Sequence, residues 1–293
     1  TLDLTLNVGT DNPVSNILRL KGYAFADAHL SLSTDTLQGI NGAGYLKGMK
    51  MADFGVEDIA LTIGQNERGI SLDVQAGNKS KSYGPQFDAK VHGYLYDEDA
   101  GVELVVADAQ GRKGVDLGLK ALLEEGGLRA HFYPERPILA FTHFNLNDNN
   151  YLYLGQKGDI GADIQLLADD NTYLALFSTP DSLVNDLTLS INHLNVGALT
   201  NGLPFLPQMQ GMLGGDIHLI DDHQSLSAMG NVKVDQLVYD GAQIGNVGLE
   251  AIYMPKEGDE HHFNAFVSAE ETEVLSVEGV YYNNEEGNFE GQA

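Results

Sequence analysis

Apolar residues recur at every second position along much of this chain. Leu2, Leu4, Leu6 and Val8 alternate with Asp3, Thr5 and Asn7. The same rhythm returns in Ile59, Leu61 and Ile63, in Ile70, Leu72, Val74 and Ala76, and in Phe87, Ala89, Val91, Gly93 and Leu95. Leu187, Leu189 and Ile191 sit between Asp186, Thr188 and Ser190. A period of two sends these side chains to one side of a sheet and their polar neighbours to the other. The pattern predicts an all-β protein built of half-buried strands, each with an apolar and a polar face.

Turn residues punctuate the runs: Gly64-Gln65-Asn66, Asp97-Glu98-Asp99, Gly111-Arg112-Lys113-Gly114, Asn147-Asp148-Asn149-Asn150, Asp169-Asp170-Asn171 and Asn283-Asn284-Glu285-Glu286-Gly287. Such clusters supply the local caps and positive-φ positions that hairpins need, so an antiparallel meander is predicted. Helical signals are few. Lys120 to Glu125 fits a helical turn, although Leu117, Leu119 and Ala121 fit a strand equally well. Residues 195–212, with Gly202-Leu203-Pro204-Phe205-Leu206-Pro207 inside them, read as a connector between a sheet segment at 1–194 and another at 213–293, or within one continuous body. A weak repeat of glycine-led strands relates 39–63 to the stretch after the connector.

Charge narrows the function. The 42 Asp and Glu outnumber 16 Lys and Arg, for a net charge of −26. Binding a phosphate backbone needs cations, so nucleic acid is not an expected partner. Electrostatics alone would not bring such a chain to an anionic membrane either. The absence of cysteine excludes disulfides and thiolate chemistry. No transmembrane helix and no signal peptide are visible. A chain that begins in mid-strand and stops at Ala293 reads as a segment of something longer.

Candidate chemistry is sparse. Asp216 and His218, with Asp221, Asp222 and His223, form the densest ligand-like group; on a strand the first two share a face opposite Ile217 and Leu219. Acidic turn clusters are common, so the group reads as solvated, with Asp221-Asp222-His223 a hairpin tip. His261-His262, after Glu257-Gly258-Asp259-Glu260, reads as another charged loop. Gly39, Gly42 and Gly44 lack the lysine-serine pair and following helix of a phosphate loop. No Gly-x-Ser-x-Gly elbow is present. Tyr151-Leu152-Tyr153 and Tyr281-Tyr282 read as strand packing. No catalytic residue, metal site or cofactor is expected, and the chain reads as a non-enzyme.

Gly197-Ala198-Leu199 through Leu206-Pro207, Leu213-Gly214-Gly215-Asp216, Met229-Gly230-Asn231-Val232-Lys233-Val234 and Asp240-Gly241-Ala242-Gln243-Ile244-Gly245 together resemble the TamB/AsmA-like family of bacterial envelope proteins. The resemblance covers about the last hundred residues. It implies an elongated antiparallel sheet curled into a U-shaped trough (a β-taco), apolar inside. It also implies a periplasmic location within an inner-membrane-anchored protein, phospholipid acyl chains as cargo, and a role in outer-membrane assembly with an outer-membrane β-barrel protein as partner. The expected groove lining is Leu187, Leu189, Ile191, Leu213, Ile217, Leu219, Val232, Val234, Val247 and Leu249. The competing expectation is a closed sandwich or barrel whose apolar face meets a second sheet, serving as an interaction module that binds protein or glycan through its loops.

Overall fold

The computed structural model describes residues 2–35, 39–51, 54–97, 99–179, 185–202, 207–222, 225–256, 260–282 and 288–292. His223, Leu203 to Leu206, and residues 257–259 and 283–287, read from the sequence as loop and turn, lie outside the described residues. Two compact units divide the chain: 2–123 with 137–141 and Gly202, and 124–136 with 142–201 and 207–292. Along the chain the main change of unit falls around 124–141.

The first unit contains β1 (Leu2–Gly9), α1 (Pro13–Leu20), β2 (Tyr23–Ala24), β3 (Asp27–Asp35), β4 (Gly39–Met51), β5 (Phe54–Asn66), β6 (Gly69–Asn78), β7 (Phe87–Tyr96), β8 (Asp99–Asp108) and β9 (Lys113–Glu124). Strand β1 pairs with β3, and from β3 to β9 each strand pairs antiparallel with the next. The short β2 lies against β4. The stretch 120–125, open to either reading, runs as strand through Glu124. Helix α1 has no counterpart in the expected elements.

Strand β10 (Gly127–Leu139) carries the chain from one unit to the other. The second unit continues with β11 (Thr142–Leu146), β12 (Tyr151–Gly155), β13 (Ile160–Ala168), β14 (Tyr173–Ser178), β15 (Asn185–Asn195), α2 (Val196–Gly202), β16 (Met209–Asp221), β17 (Leu226–Tyr239), β18 (Ala242–Lys256), β19 (Glu260–Ala269), β20 (Thr272–Tyr282) and β21 (Asn288–Gln292). From β13 to β21 each strand again pairs antiparallel with its successor. The connector holds helix α2, yet β15 and β16 pair across it, so the ladder does not stop there. Among the described residues no helix is long and apolar enough to cross a membrane.

Two turn clusters behave differently from expectation. Asn147 to Asn150 do not reverse the chain. Strands β11 and β12 both pair with β13, so the asparagines interrupt a single line of strand. Their side chains replace the missing ladder bonds: Asn147 Oδ1 accepts the Gln165 amide at 2.9 Å, and buried Asn150 accepts the Phe132 amide at 2.7 Å through Oδ1. Gly64, Gln65 and Asn66 are the end of β5; the chain reverses at Glu67 and Arg68, whose amide donates to Asn66 Oδ1 at 2.8 Å.

Asp169 to Asn171 do form a hairpin, between β13 and β14. The Thr172 amide donates to Asp170 Oδ1 at 3.0 Å, and that bond holds the Asp170 carboxyl below its ordinary pKa. A carboxyl whose pKa is lower folded than unfolded stabilises the fold above its unfolded value near ~4, and loses that contribution as the pH falls toward the folded value. Asp170→Ala should therefore lower the melting temperature at pH 6, and the gap to the parent should narrow below pH ~4. Thermal melts of both proteins across acid pH check this.

Candidate functional site

Residues directly opposite each other on paired strands project to the same side of a sheet. Following partners from strand to strand therefore traces a face. In the first unit one line runs Leu4–Leu32–Gly42–Ile63–Leu72–Gly93–Val102–Leu119. The next runs Leu6–Leu30–Gly44–Leu61–Val74–Val91–Leu104–Leu117. Gly42 and Gly44 of β4 belong to this face, and Gly39, opposite Asp35, to the other. A Cβ on Gly42 would stand 2.8 Å from the Ser31 carbonyl and 3.0 Å from an Ile63 methyl, so neighbours already fill its place. That accounts for the glycine-rich segment as packing within a strand.

The second unit repeats the arrangement. One line is Leu166–Leu174–Ile191–Gly215–Val232–Leu249–Val267–Leu275. Beside it run Ile164–Leu176–Leu189–Ile217–Gly230–Ala251–Ala265–Val277 and Leu194–Leu213–Val234–Val247–Ala269. Leu187 and Leu219 face each other one step further along. All ten residues expected to line a groove thus lie on one continuous face.

Keeping that parity requires a correction within β15. Two residues, Asn192 and His193, stand against the single Gly214, and His193 takes φ 61°. This bulge returns Leu194 to the apolar side. Across from it Gly215 has φ 137°, and a Cβ there would sit 2.1 Å from the Asn231 carbonyl oxygen. Only glycine fits such a backbone. Gly215→Val should cost about 1–3 kcal/mol from the conformation alone, read as a lower urea midpoint.

The face is not sealed. None of the ten residues is buried; nine are half-buried and Leu249 is 43% exposed. Coverage grades along the unit, since Ala162, Ile164, Leu166 and Ala168 of β13 on this side are buried, whereas Leu275 of β20 is exposed. In the first unit Leu2, Leu4, Leu6, Leu72, Leu95 and Val102 are exposed on the corresponding side. Total accessible surface is 18228 Å². Two separate globules sharing the chain's mass equally would expose about 15,000 Å².

The reverse faces carry the polar chemistry. Asp216 and His218 lie there, opposite Ile217 and Leu219, and His218 Nδ1 pairs with Thr188 Oγ1 at 3.0 Å. Asp221 closes β16 beside Asn185 Nδ2 at 3.2 Å, while Asp222 forms the tip, accepting the Ser225 amide at 2.7 Å. The structure thus keeps Asp216 and His218 on one face, as expected, with Asp221 at the strand end in parity with Leu219 and Asp222 in the turn. Among the described residues no three His, Cys, Asp or Glu side chains gather as a metal site would require. In the first unit the Tyr45 hydroxyl donates to Asp27 at 3.0 Å, which raises its pKa, and the Lys120 ammonium bonds Asp99 at 2.8 Å, which raises the lysine's. Both are surface pairings of modest energy.

His261 and His262 are strand residues, not a loop. Alternation continues through them because β19 starts at Glu260, which puts His261 on the apolar side with Phe263, Ala265 and Val267. There His261 Nδ1 meets the Tyr253 hydroxyl at 2.7 Å, and its ring stands 5.9 Å from those of Tyr253 and Tyr281. This polar-tipped aromatic group ends the apolar face of β18–β20. The signal for it was the unbroken period from His261 to Val267. Compared with family models, curated proteins and solved structures, the chain matches none of them, and the two apolar faces are what the functional reading rests on.

Proposed function

We propose that this chain is a non-catalytic lipid carrier or scaffold of the TamB/AsmA type, whose apolar faces hold phospholipid acyl chains while the headgroups stay in water. In this reading it belongs to the periplasmic part of an inner-membrane-anchored protein. It passes phospholipid between the inner and outer membranes, or supports outer-membrane assembly beside a β-barrel partner, and the sheet curls so that its apolar side becomes a groove. The observation that carries the reading is the unsealed ladder of aliphatic side chains running from strand to strand. A large exposed apolar surface on a strongly charged chain calls for a ligand or partner.

The energetics favour lipid as that ligand. Each methylene exposed to water costs about 0.8 kcal/mol, so two ordinary acyl tails cost on the order of 20 kcal/mol when they cross an aqueous gap unshielded. Leu, Ile, Val and Ala in register offer an even surface along which a tail slides without meeting a fixed hydrogen bond. Gly230, where a Cβ would meet nothing nearer than 3.5 Å, leaves shallow room within that surface. A dry sandwich core, the alternative, would bury the same side chains; their partial exposure weighs against it.

Native mass spectrometry and solvent extraction of the purified protein test the proposal. Bound phospholipid, displaced by added fatty acid, is the expected result. A preparation free of lipid that also fails to take up a fluorescent phospholipid would refute it.

A further inference from the structure

Helix α1 turns its greasy stripe toward solvent. Its ends are fixed locally. Asn12 Oδ1 accepts the Ser15 amide at 3.1 Å, the Asn12 amide donates to Ser15 Oγ at 3.1 Å, and Arg19 Nη2 donates to the Thr10 carbonyl at 2.6 Å. Ser15 is buried, which makes the serine side of the helix its inner side. Pro13, Ile17 and Leu20 follow the four-then-three spacing of a single helical stripe. All three are exposed, Ile17 by 62% and Leu20 by 87%. Tyr23, just beyond, is exposed as well. Polar Asn16 and Arg19 are exposed with them, so the apolar stripe shares the solvent-facing surface of the helix.

Arg19 and Lys21 stand at the C-terminal end of the stripe, while Asp11 lies at the other end, accepting from Asn16 Nδ2 at 3.5 Å, and the next carboxylate after the helix is Asp27. An apolar wedge with cations and a tyrosine at its border matches the boundary between headgroups and acyl chains of an anionic bilayer. A second copy of the same helix is a poorer cover, because two-fold packing would bring Arg19 and Lys21 close to their own equivalents.

We propose that α1 is a shallow membrane-contact element that seats Ile17 and Leu20 in the acyl boundary of a bilayer containing anionic phospholipid. It sits after β1, at the end of the first unit's apolar face where Val8 pairs with Ala28. The proposal stands on the helix alone and does not require the sheet to carry lipid.

The chain has no tryptophan, so Ile17→Trp places a single reporter on the stripe. With phosphatidylcholine vesicles containing phosphatidylglycerol, its emission should shift to the blue and be quenched by brominated acyl chains. Leu20→Asp in the same background should lower vesicle binding at least about tenfold. Lys21→Gln should lower it about fivefold on the anionic vesicles alone, the ratio that ~1 kcal/mol per surface cation gives. Circular dichroism confirms that each variant folds. Emission that stays solvent-like with vesicles overturns the proposal, as does a blue shift that depends on protein concentration without them. Leu20→Asp protein that still purifies with lipid loses only membrane contact; a parent that docks on vesicles but carries no lipid fails only the carrier reading.

Discussion

Leu189→Asp and Leu219→Glu, singly and together, are expected to strip bound lipid from the protein while leaving its strand content intact. Both leucines lie on the apolar face of β15 and β16, and both are half-buried. Removing a leucine's contact with a tail forfeits about 1.5–3 kcal/mol. A carboxylate at the same place also holds water against the tail. Each substitution should therefore weaken capture of a fluorescent phospholipid by roughly tenfold to a hundredfold, since 1.4 kcal/mol is a factor of ten. The fold tolerates the change because a half-exposed carboxylate keeps much of its hydration. Ser227→Asp provides the control. It sits on β17 opposite Ile220, on the polar side, and should leave lipid binding unchanged. Lipid capture that survives several charges on the apolar side, or that falls equally with Ser227→Asp, would end the carrier reading.

The faces were legible in the sequence because a hairpin meander preserves parity. When each strand reverses onto the next, residues paired across the ladder share a side, and only a bulge can disturb the count. The ten residues expected to line a groove share one face for this reason, and the bulge at Asn192 and His193 restores parity where it would otherwise fail at Leu194. Asn147 to Asn150 were harder. Asparagine caps a hairpin and bridges a broken strand with the same side-chain bonds, and only the partner strand, β13 in both directions, distinguishes the two. Helix α1 is eight residues long, too short for its period to stand out, and its signals are local: Asn12 as cap, Pro13 in the first turn, Arg19 in the last. What covers an apolar face is written nowhere in alternation, because a sealed core and an open one use the same residues.

That difference is measurable as stability. Phe144 of β11, fully buried, pairs with Ala168 on the apolar side of the second unit. Phe144→Ala should destabilise the protein by about 3–5 kcal/mol, the range for emptying a packed aromatic site. Leu189→Ala on the same side four strands along should cost well under the ~2–5 kcal/mol of a sealed leucine, because solvent already reaches it. Urea titrations of the delipidated protein give both values. On the carrier reading, folding energy sits at the buried residues of β11 and β13, and the partly exposed residues of β15 to β20 exchange water for acyl chains at little cost to the fold. In the presence of lipid the ordering should tighten: bound tails stabilise the folded state by mass action, and Leu189→Ala should forfeit that increment while Phe144→Ala retains it. Equal losses at the two sites, with no dependence on lipid, would mean that the aliphatic ladder is an ordinary core whose cover lies elsewhere in the protein.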